Sequence, residues 1–149
     1  MSVVFLDAGP LGMATNPKSR PENEDCRRWL ARIVSQGTRV IIPEIADYEV
    51  RRELLRAGKS AGIARLDRFK TDFEYLPIST TAVLLAADLW ARIRNTGMQT
   101  ASDLALDGDV ILAAQALTCG VRSNEILIAT TNVGHLSRLA EAKSWREIY

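Results

Sequence analysis

The chain has 149 residues, of which 47% are hydrophobic and 25% charged, and its net charge is only +1 from 19 basic and 18 acidic residues. This length predicts a single domain over residues 1–149, and the composition excludes a disordered chain. The small net charge excludes a protein that binds nucleic acid through its overall charge. A local basic surface beside an acidic site remains compatible with it.

The cysteines and the N-terminal residues bear on the cellular compartment. Cys26 and Cys119 lie far apart in the sequence, and two cysteines without a secretory segment are typical of a reduced chain. The apolar N-terminal run is cut short by Asp7 and has no basic leader, so we expect neither a signal peptide nor a membrane span. We therefore expect a cytoplasmic protein with no membrane partner.

Short apolar runs rich in β-forming residues predict strands that are buried on both faces, as in a parallel sheet. Three such runs occupy residues 3–6, 39–42 and 126–129. A weak strand is expected at residues 76–78, and a final edge strand at residues 145–148.

Helical patterns separate these strands. The chain is expected to turn at residues 8–10. Helices are then predicted over residues 22–36, 43–57, 59–75, 80–94 and 106–119, and a short one after the third strand. Thr80 is expected to cap the fourth helix and Gly97 to end it. The fifth helix is apolar nearly all round, so we expect it in the centre of the domain.

The alternation of strands and helices predicts a three-layer α/β/α domain with a mostly parallel central sheet. In such sheets, ligands bind outside the carboxyl ends of the strands. Asp7 and Asn132 fall at the carboxyl ends of the first and third clear strands. We therefore expect the functional residues at this edge of the sheet.

Three acidic residues lie at the edges of apolar elements. Asp7 directly follows a buried strand, Glu49 lies in the second turn of its helix, and Asp109 precedes the apolar run of the central helix. Converging carboxylates repel one another unless they are protonated or bridged by a cation. Oxygen ligands without paired His or Cys favour Mg²⁺ or Mn²⁺, which activate water and neutralise charge on a phosphodiester. Asp7, Glu49 and Asp109 are therefore the candidate metal ligands.

Each candidate also has a structural interpretation. Asp7 could simply start a turn, and Glu49 could be a solvated helix acid paired with a neighbouring arginine. Asp107 competes with Asp109, but the two point to opposite sides of a helix. Because Asp107 precedes Gly108 in a pattern typical of an N-cap, we favour Asp109 as the ligand.

Residues after the third strand could assist these acids. Thr130 and Thr131 could supply hydroxyls for hydrogen bonds, although β-propensity alone explains threonine there. His135 is the only histidine, and a lone histidine on a short helix is more often a surface or structural residue. The sequence leaves open whether Asp107, Thr130 or His135 takes part.

Four stretches resemble the PIN-domain family, in particular its VapC-type toxin nucleases, and the resemblance covers essentially the whole chain. They are residues 3–7 (VVFLD), 42–49 (IPEIADYE), 109–116 (DVILAAQA) and 128–132 (IATTN), followed by His135. The resemblance implies a PIN-like fold and metal-dependent endonuclease action on single-stranded regions of RNA. It also implies pairing with a small antitoxin protein.

Asn132 departs from the commonest pattern of that family, which frequently has a fourth acid at this position. A neutral amide oxygen can still ligate a metal or orient water, so Asn132 remains a catalytic candidate beside Asp7, Glu49 and Asp109. The missing negative charge argues against tight binding of a second ion. It also keeps open an alternative, a catalytically inactive PIN-like module that binds RNA or protein.

A basic stretch and an apolar stripe bear on the partners. Residues 48–70 contain seven basic residues against three acidic ones, and arginine outnumbers lysine 15 to 4 in the chain. This suits RNA, although solvated helix faces explain the same pattern.

The apolar stripe consists of Ile63, Leu66, Phe69 and Phe73. Together with the resemblance, this stripe leads us to expect a symmetric homodimer. We also expect a partner peptide that lies over the catalytic groove.

Other phosphate-handling families fit less well. The chain has no Gly-Lys-Ser/Thr phosphate-binding loop, and residues 9–12 (GPLG) do not form a dinucleotide fingerprint. A receiver domain would be phosphorylated on an aspartate, but its paired acids after the first strand and its lysine after the last strand are missing.

Overall fold

Strands and helices alternate along the chain in the computed structural model, which describes residues 2–96 and 103–149. The strands are β1 (Val3–Leu6), β2 (Arg39–Pro43), β3 (Glu74–Leu76), β4 (Ile126–Thr130) and β5 (Ala142–Ser144). The helices are α1 (Ala8–Thr15), α2 (Pro21–Ser35), α3 (Glu44–Arg56), α4 (Ser60–Asp72), α5 (Thr80–Asn95) and α6 (Asp103–Thr118). Short 3₁₀ turns cover Ser123–Glu125, Leu136–Arg138 and Trp145–Glu147.

The described strands form one sheet in the order β3-β2-β1-β4-β5, and every neighbouring pair is parallel. Strand β1 lies in the centre, where Phe5 pairs with Ile41 of β2 and with Ile128 of β4. A strand with neighbours on both sides and helices on both faces must be apolar along its whole length, as this one is. The predicted α/β class is confirmed, and the sheet is entirely parallel within the described residues.

Helices cover both faces of the sheet. One hydrophobic cluster, which includes Leu6, Trp29 and Leu66, packs α1 to α4 against the first face. A second cluster joins Phe5 to Leu112 of α6 on the opposite face, and α5 packs on the outside of α6. Helix α6 is therefore the buried central helix that its composition predicts.

The first helix is the main correction to the sequence analysis. Residues 8–10 were expected to be a turn, but they begin α1, which Asp7 caps by accepting a hydrogen bond from the Ala8 N–H. Pro10 is tolerated because the first turn of a helix has no intrahelical partners for its N–H groups. A Cβ on Gly9 would lie 2.6 Å from the Thr131 side chain, so only glycine allows α1 this close to the end of β4.

Other boundaries also differ. The last strand is β5, while residues 145–148, predicted as a strand, begin with a 3₁₀ turn whose Trp145 packs against Trp29 with ring centroids 5.7 Å apart. Ser79 rather than Thr80 caps α5, because its hydroxyl accepts the Ala82 N–H.

Two further predictions concern the ends of α5 and α6. Asp107 is not an N-cap, since it lies inside α6, four residues after the start of that helix. Gly97, predicted to end α5, lies outside the described residues.

The apolar stripe on α4 faces its own core. Leu66 is fully buried, and Phe69 and Phe73 pack against the same cluster with ring centroids 5.2 Å apart. Both cysteines are free thiols. Across residues 2–96 and 103–149, no helix combines the length and the apolar character that crossing a membrane requires.

Candidate active site

Asp7 lies at the carboxyl end of the central strand. Its Oδ1 accepts the Ala8 N–H at 2.7 Å, and its Oδ2 accepts the Thr130 hydroxyl at 2.7 Å. Both bonds favour the charged carboxylate, but burial outweighs them and raises the pKa of Asp7 above its usual value. Asp7 is thus held in one orientation in surroundings that disfavour its charge.

Glu49 approaches Asp7 from α3. The helix begins at Glu44 directly after β2, which brings Glu49 into its second turn. The Glu49 carboxylate lies against α6, where a Cβ on Gly108 would be 3.2 Å from Oε1. Burial raises the pKa of Glu49, the charges of Asp7 and Asp109 raise it further, and Arg52 lowers it.

Asp109 completes the group from α6. Burial raises its pKa from 3.8 to about 6, with a further contribution from the Asp7 charge, while His135 lowers it. The three predicted ligands therefore converge at one edge of the sheet, where they act on one another's ionisation. A divalent cation would relieve this repulsion.

The spacing of these carboxylates bears on whether the site fits a metal ion. Three carboxylates are the ligand chemistry that Mg²⁺ or Mn²⁺ prefers. Among the described residues, however, no three His, Cys, Asp or Glu side chains are close enough to hold an ion together in their present conformations. The donor set fits a divalent cation, but ligation of one ion by all three residues requires their side chains to move closer.

Thr130 rather than the Asn132 side chain contacts Asp7. Its hydroxyl, which is fully buried, donates to Asp7 and accepts the backbone N–H of Asn132 at 3.1 Å. Asn132 itself is exposed, and its amide oxygen lies next to Gly134, where a Cβ would be 2.9 Å away. A catalytic role for Asn132 stays a prediction, whereas the role suggested for the Thr130 hydroxyl has a direct contact behind it.

His135 and Asp107 were both left open by the sequence. His135 lies at the start of a 3₁₀ turn, close enough to Asp109 to lower the pKa of that carboxyl. Asp107 is exposed and lines a different cleft between α5 and α6, together with Val83 and Trp90. His135 therefore belongs to the surroundings of the carboxylates and Asp107 to another cleft, and the choice of Asp109 as a metal ligand stays a prediction.

Gln115, which the sequence analysis did not single out as functional, ties together the two helices that carry Glu49 and Asp109. It is 1% exposed. Its amide oxygen accepts the N–H of Ile45 at the start of α3, and its amide nitrogen donates to the carbonyl of Leu76 at 2.9 Å. Because a buried amide needs partners for both of its ends, Gln115 fixes α6 relative to α3.

An ion-pair network holds the outer side of α3. Arg51 donates to both oxygens of Asp47 at 3.0 Å and to Asp67 of α4 at 2.7 Å. The pair with Asp47, which is only 5% exposed, lies within α3 in partly buried surroundings, and the exposed contact with Asp67 joins α3 to α4. Arg51 is therefore a structural residue, although it is one of the seven basic residues in the stretch 48–70 that suits RNA.

A groove of about 860 Å³ opens between α1, α3 and α4. It includes Glu49 of the carboxylate group, so it extends to the candidate active site. Its other lining residues include apolar, basic and acidic side chains, among them Met13, Val50, Leu54, Lys18, Arg20, Lys59, Glu22 and Glu53. The three basic residues lie on the α1–α2 connection, at the start of α2 and before α4, so the groove offers apolar surface with local positive charge away from the carboxylates.

Comparisons with known proteins agree with this fold. A family model described as PIN domain matches residues 4–142. A chain in the structure of VapBC2 from Rickettsia felis, bound to a DNA fragment from their promoter, superposes with a TM-score of 0.71 at 15% identity, covering 96% of this chain and 98% of that one. A chain in DNA-bound VapBC from Salmonella typhimurium has a TM-score of 0.69 at 20% identity, with 97% and 99% covered.

A chain in FitAcB from Neisseria gonorrhoeae has a TM-score of 0.68 at 17% identity, with 98% of this chain and 100% of that one covered. No curated protein sequence matches this chain. At these identities, the structural matches establish a shared fold over the whole length.

Proposed function

The chain belongs to the PIN-domain family, and we propose on this basis that it is a divalent-metal-dependent endoribonuclease, the toxin of a toxin–antitoxin pair. The observation that carries the proposal is the convergence of Asp7, Glu49 and Asp109, in which burial first and neighbouring carboxylate charges second raise the pKa of Glu49 and of Asp109. Such a cluster is unfavourable without a cation and useful with one.

Each residue of the site has a distinct part in this proposal. Asp7, Glu49 and Asp109 would hold Mg²⁺ or Mn²⁺, which supplies an activated water and neutralises charge on the phosphodiester. The Thr130 hydroxyl keeps Asp7 in one orientation through its 2.7 Å hydrogen bond. Asn132 is proposed to assist as a neutral oxygen donor.

The groove beside the site supports two partners for this chain. Lys18, Arg20 and Lys59 line it and would bind the phosphates of an RNA strand that leads to the carboxylates. The structural relatives come from VapBC and FitAcB structures. This supports a small antitoxin that covers the same groove and keeps RNA out.

A homodimer stays a prediction, as does the cytoplasmic location. The α4 stripe that suggested the dimer packs on its own core. Apolar surface on α5 is the better candidate interface, because Val83 and Leu84 are 52% and 68% exposed.

The proposal is tested by RNA cleavage with and without metal. Cleavage should require Mg²⁺ or Mn²⁺ and stop with a chelator. Asp7→Asn, Glu49→Gln and Asp109→Asn should each abolish it while leaving the circular dichroism spectrum unchanged. Full activity in any one of them would remove that residue from the site.

A matched control lies on α6. Asp107→Asn removes an exposed acid two residues before Asp109, on a different cleft from the groove. This variant should cleave RNA like the wild-type protein. Loss of activity in this control as well would point to a general effect of charge.

A module that binds without cutting is the second candidate. Two observations favour it: among the described residues no three His, Cys, Asp or Glu side chains are placed to hold one ion, and Asn132 stands where the family frequently has an acid. Calorimetric titration with Mn²⁺ separates the candidates, because a binding module should show no affinity that depends on Asp7, Glu49 and Asp109.

A further inference from the structure

Tyr48 and Arg52 form an exposed pair immediately beside the Glu49 carboxylate. Tyr48 is 54% exposed, and the Arg52 side chain is also 54% exposed. The Arg52 guanidinium carbon lies 5.1 Å from the centre of the Tyr48 ring. Its Nη2 lies 3.9 Å from Oε2 of Glu49, which is too far for a hydrogen bond. Two flat groups thus lie against each other at the edge of the candidate active site.

The contrast with Arg51 shows what is unusual about this pair. Arg51 is the next residue along the helix, and Asp47 and Asp67 occupy its guanidinium. Arg52 instead keeps its guanidinium on the surface, over an aromatic ring that contributes little to the core. Neither Tyr48 nor Arg52 has a stabilising role comparable to that of Arg51.

An aromatic ring and a guanidinium plane are the two surfaces on which unpaired nucleobases stack. Arginine also donates to phosphate oxygens in a planar fork. The cation–π contact holds the two side chains in place relative to each other before any ligand arrives. A ligand that matches both groups carries a flat ring and a phosphate close together, as a nucleotide does.

We propose that Tyr48 and Arg52 form a nucleobase-stacking subsite that holds one unpaired base of an RNA strand next to the bond to be cleaved. This inference rests on the proposed ribonuclease function and adds to it. A base inside a duplex has no free face to stack on Tyr48, so the subsite selects single-stranded RNA. It also positions the strand, because the stacked base lies within one helical turn of Glu49.

The subsite is tested by binding of a single-stranded RNA oligonucleotide that carries 2-aminopurine, at fixed salt and with a chelator to prevent cleavage. Stacking quenches the fluorescence of this base, and anisotropy gives the dissociation constant. Tyr48→Ala should weaken binding by about 5- to 150-fold, the range that loss of one stacked base produces, and should remove the quenching. Tyr48→Phe should retain both, because the ring is kept.

Two controls remove the same chemical groups elsewhere. Tyr149→Ala removes a tyrosine that is 87% exposed. Arg28→Ala removes an arginine that is 69% exposed. It pairs with an acid three residues earlier in the helix, Asp25, as Arg52 does with Glu49. Both should bind the oligonucleotide like the wild-type protein. Arg52→Lys keeps the charge but not the plane, so it should weaken binding and reduce the quenching.

The outcomes separate this inference from the function on which it rests. Wild-type affinity and quenching in Tyr48→Ala, in a protein that still cleaves RNA, would overturn the subsite alone. Equal losses in Tyr48→Phe and Tyr48→Ala would overturn stacking as its basis. A change of sedimentation mass in Tyr48→Ala would assign Tyr48 to a protein interface instead. No RNA binding and no cleavage by the wild-type protein would overturn both proposals.

Discussion

The Thr130 hydroxyl lies 2.7 Å from Oδ2 of Asp7 and also accepts the backbone N–H of Asn132. One buried group therefore connects the end of β4 to the candidate metal ligand at the end of β1. If the hydroxyl is removed, the Asp7 oxygen and the Asn132 N–H both lose a partner, and the loss costs most at Asp7 because burial already disfavours its charge.

Thr130→Val removes this hydroxyl and keeps the shape of the side chain. We expect the free energy of unfolding to fall by about 1–3 kcal/mol, the usual effect of leaving buried polar groups unpaired. The pKa of Asp7 should rise further, because the Thr130 hydrogen bond lowers it, so Mn²⁺ affinity at neutral pH should fall. Denaturant unfolding and calorimetry measure both effects. Thr130→Ser keeps the hydroxyl and should resemble the wild-type protein, and equal behaviour of the two variants would contradict this account.

Gly108 leaves the space that the Glu49 carboxylate occupies. A Cβ on Gly108 would lie 3.2 Å from Oε1 of Glu49, whereas a Cβ on Gly12 of α1 would meet only Val50 at an ordinary 3.8 Å. Replacing a helical glycine by alanine gains about 0.5–1 kcal/mol from helix propensity. Gly12→Ala should therefore raise stability and leave Mn²⁺ affinity unchanged. Gly108→Ala should displace Glu49, gain less stability and weaken both Mn²⁺ binding and cleavage. Identical Mn²⁺ affinities for both variants would show that Glu49 has room to move without loss.

The ionisation of Asp109 predicts how the stability of the metal-free protein depends on pH. Its pKa is raised from 3.8 to about 6 in the folded chain, so the folded state binds more protons than the unfolded state between these values. Its contribution therefore makes the protein less stable as pH rises from about 4 to 6, and the loss is complete above that range. As pH rises through this window, the free energy of unfolding of Asp109→Asn should increase relative to that of the wild-type protein. That of Asp107→Asn should not. If the difference in stability between Asp109→Asn and the wild-type protein does not change with pH, this prediction is wrong.

Asn132→Asp tests whether a fourth acid strengthens the site. Two unit charges 4 Å apart attract each other by about 4 kcal/mol at an effective dielectric of 20, and a divalent cation doubles this to about 8 kcal/mol before the new charge is desolvated. The Asn132 side chain is exposed, so we expect a smaller gain, about tenfold or less in Mn²⁺ affinity. Asn132→Ala should reduce affinity or cleavage only modestly. If calorimetry gives one affinity for wild type and both variants, Asn132 lies outside the metal site.

The sequence by itself determined the three buried strands β1, β2 and β4, the central helix and the choice of candidate acids, but not the short edge strands β3 and β5. Strand β1 and helix α6 are recognisable because continuous burial leaves a continuous apolar run, which is a local property of the chain. Asp7 and Asp109 are recognisable for the same reason, since each is a charge next to such a run. The parallel arrangement follows from the alternation of elements, so the edge of the sheet where the site lies was also predictable.

Only the tertiary structure decided which residues surround those acids. Residues 8–10 carry local turn signals, yet they form a helix because Asp7, held by Thr130 from a strand 123 residues away along the chain, caps it. The space at Gly108 exists only once α3 lies against α6, and the two hydrogen bonds of Gln115 arise from the same packing. Contacts between residues that are distant in sequence depend on packing in three dimensions. A pattern that repeats every two or every 3.6 residues carries no information about them.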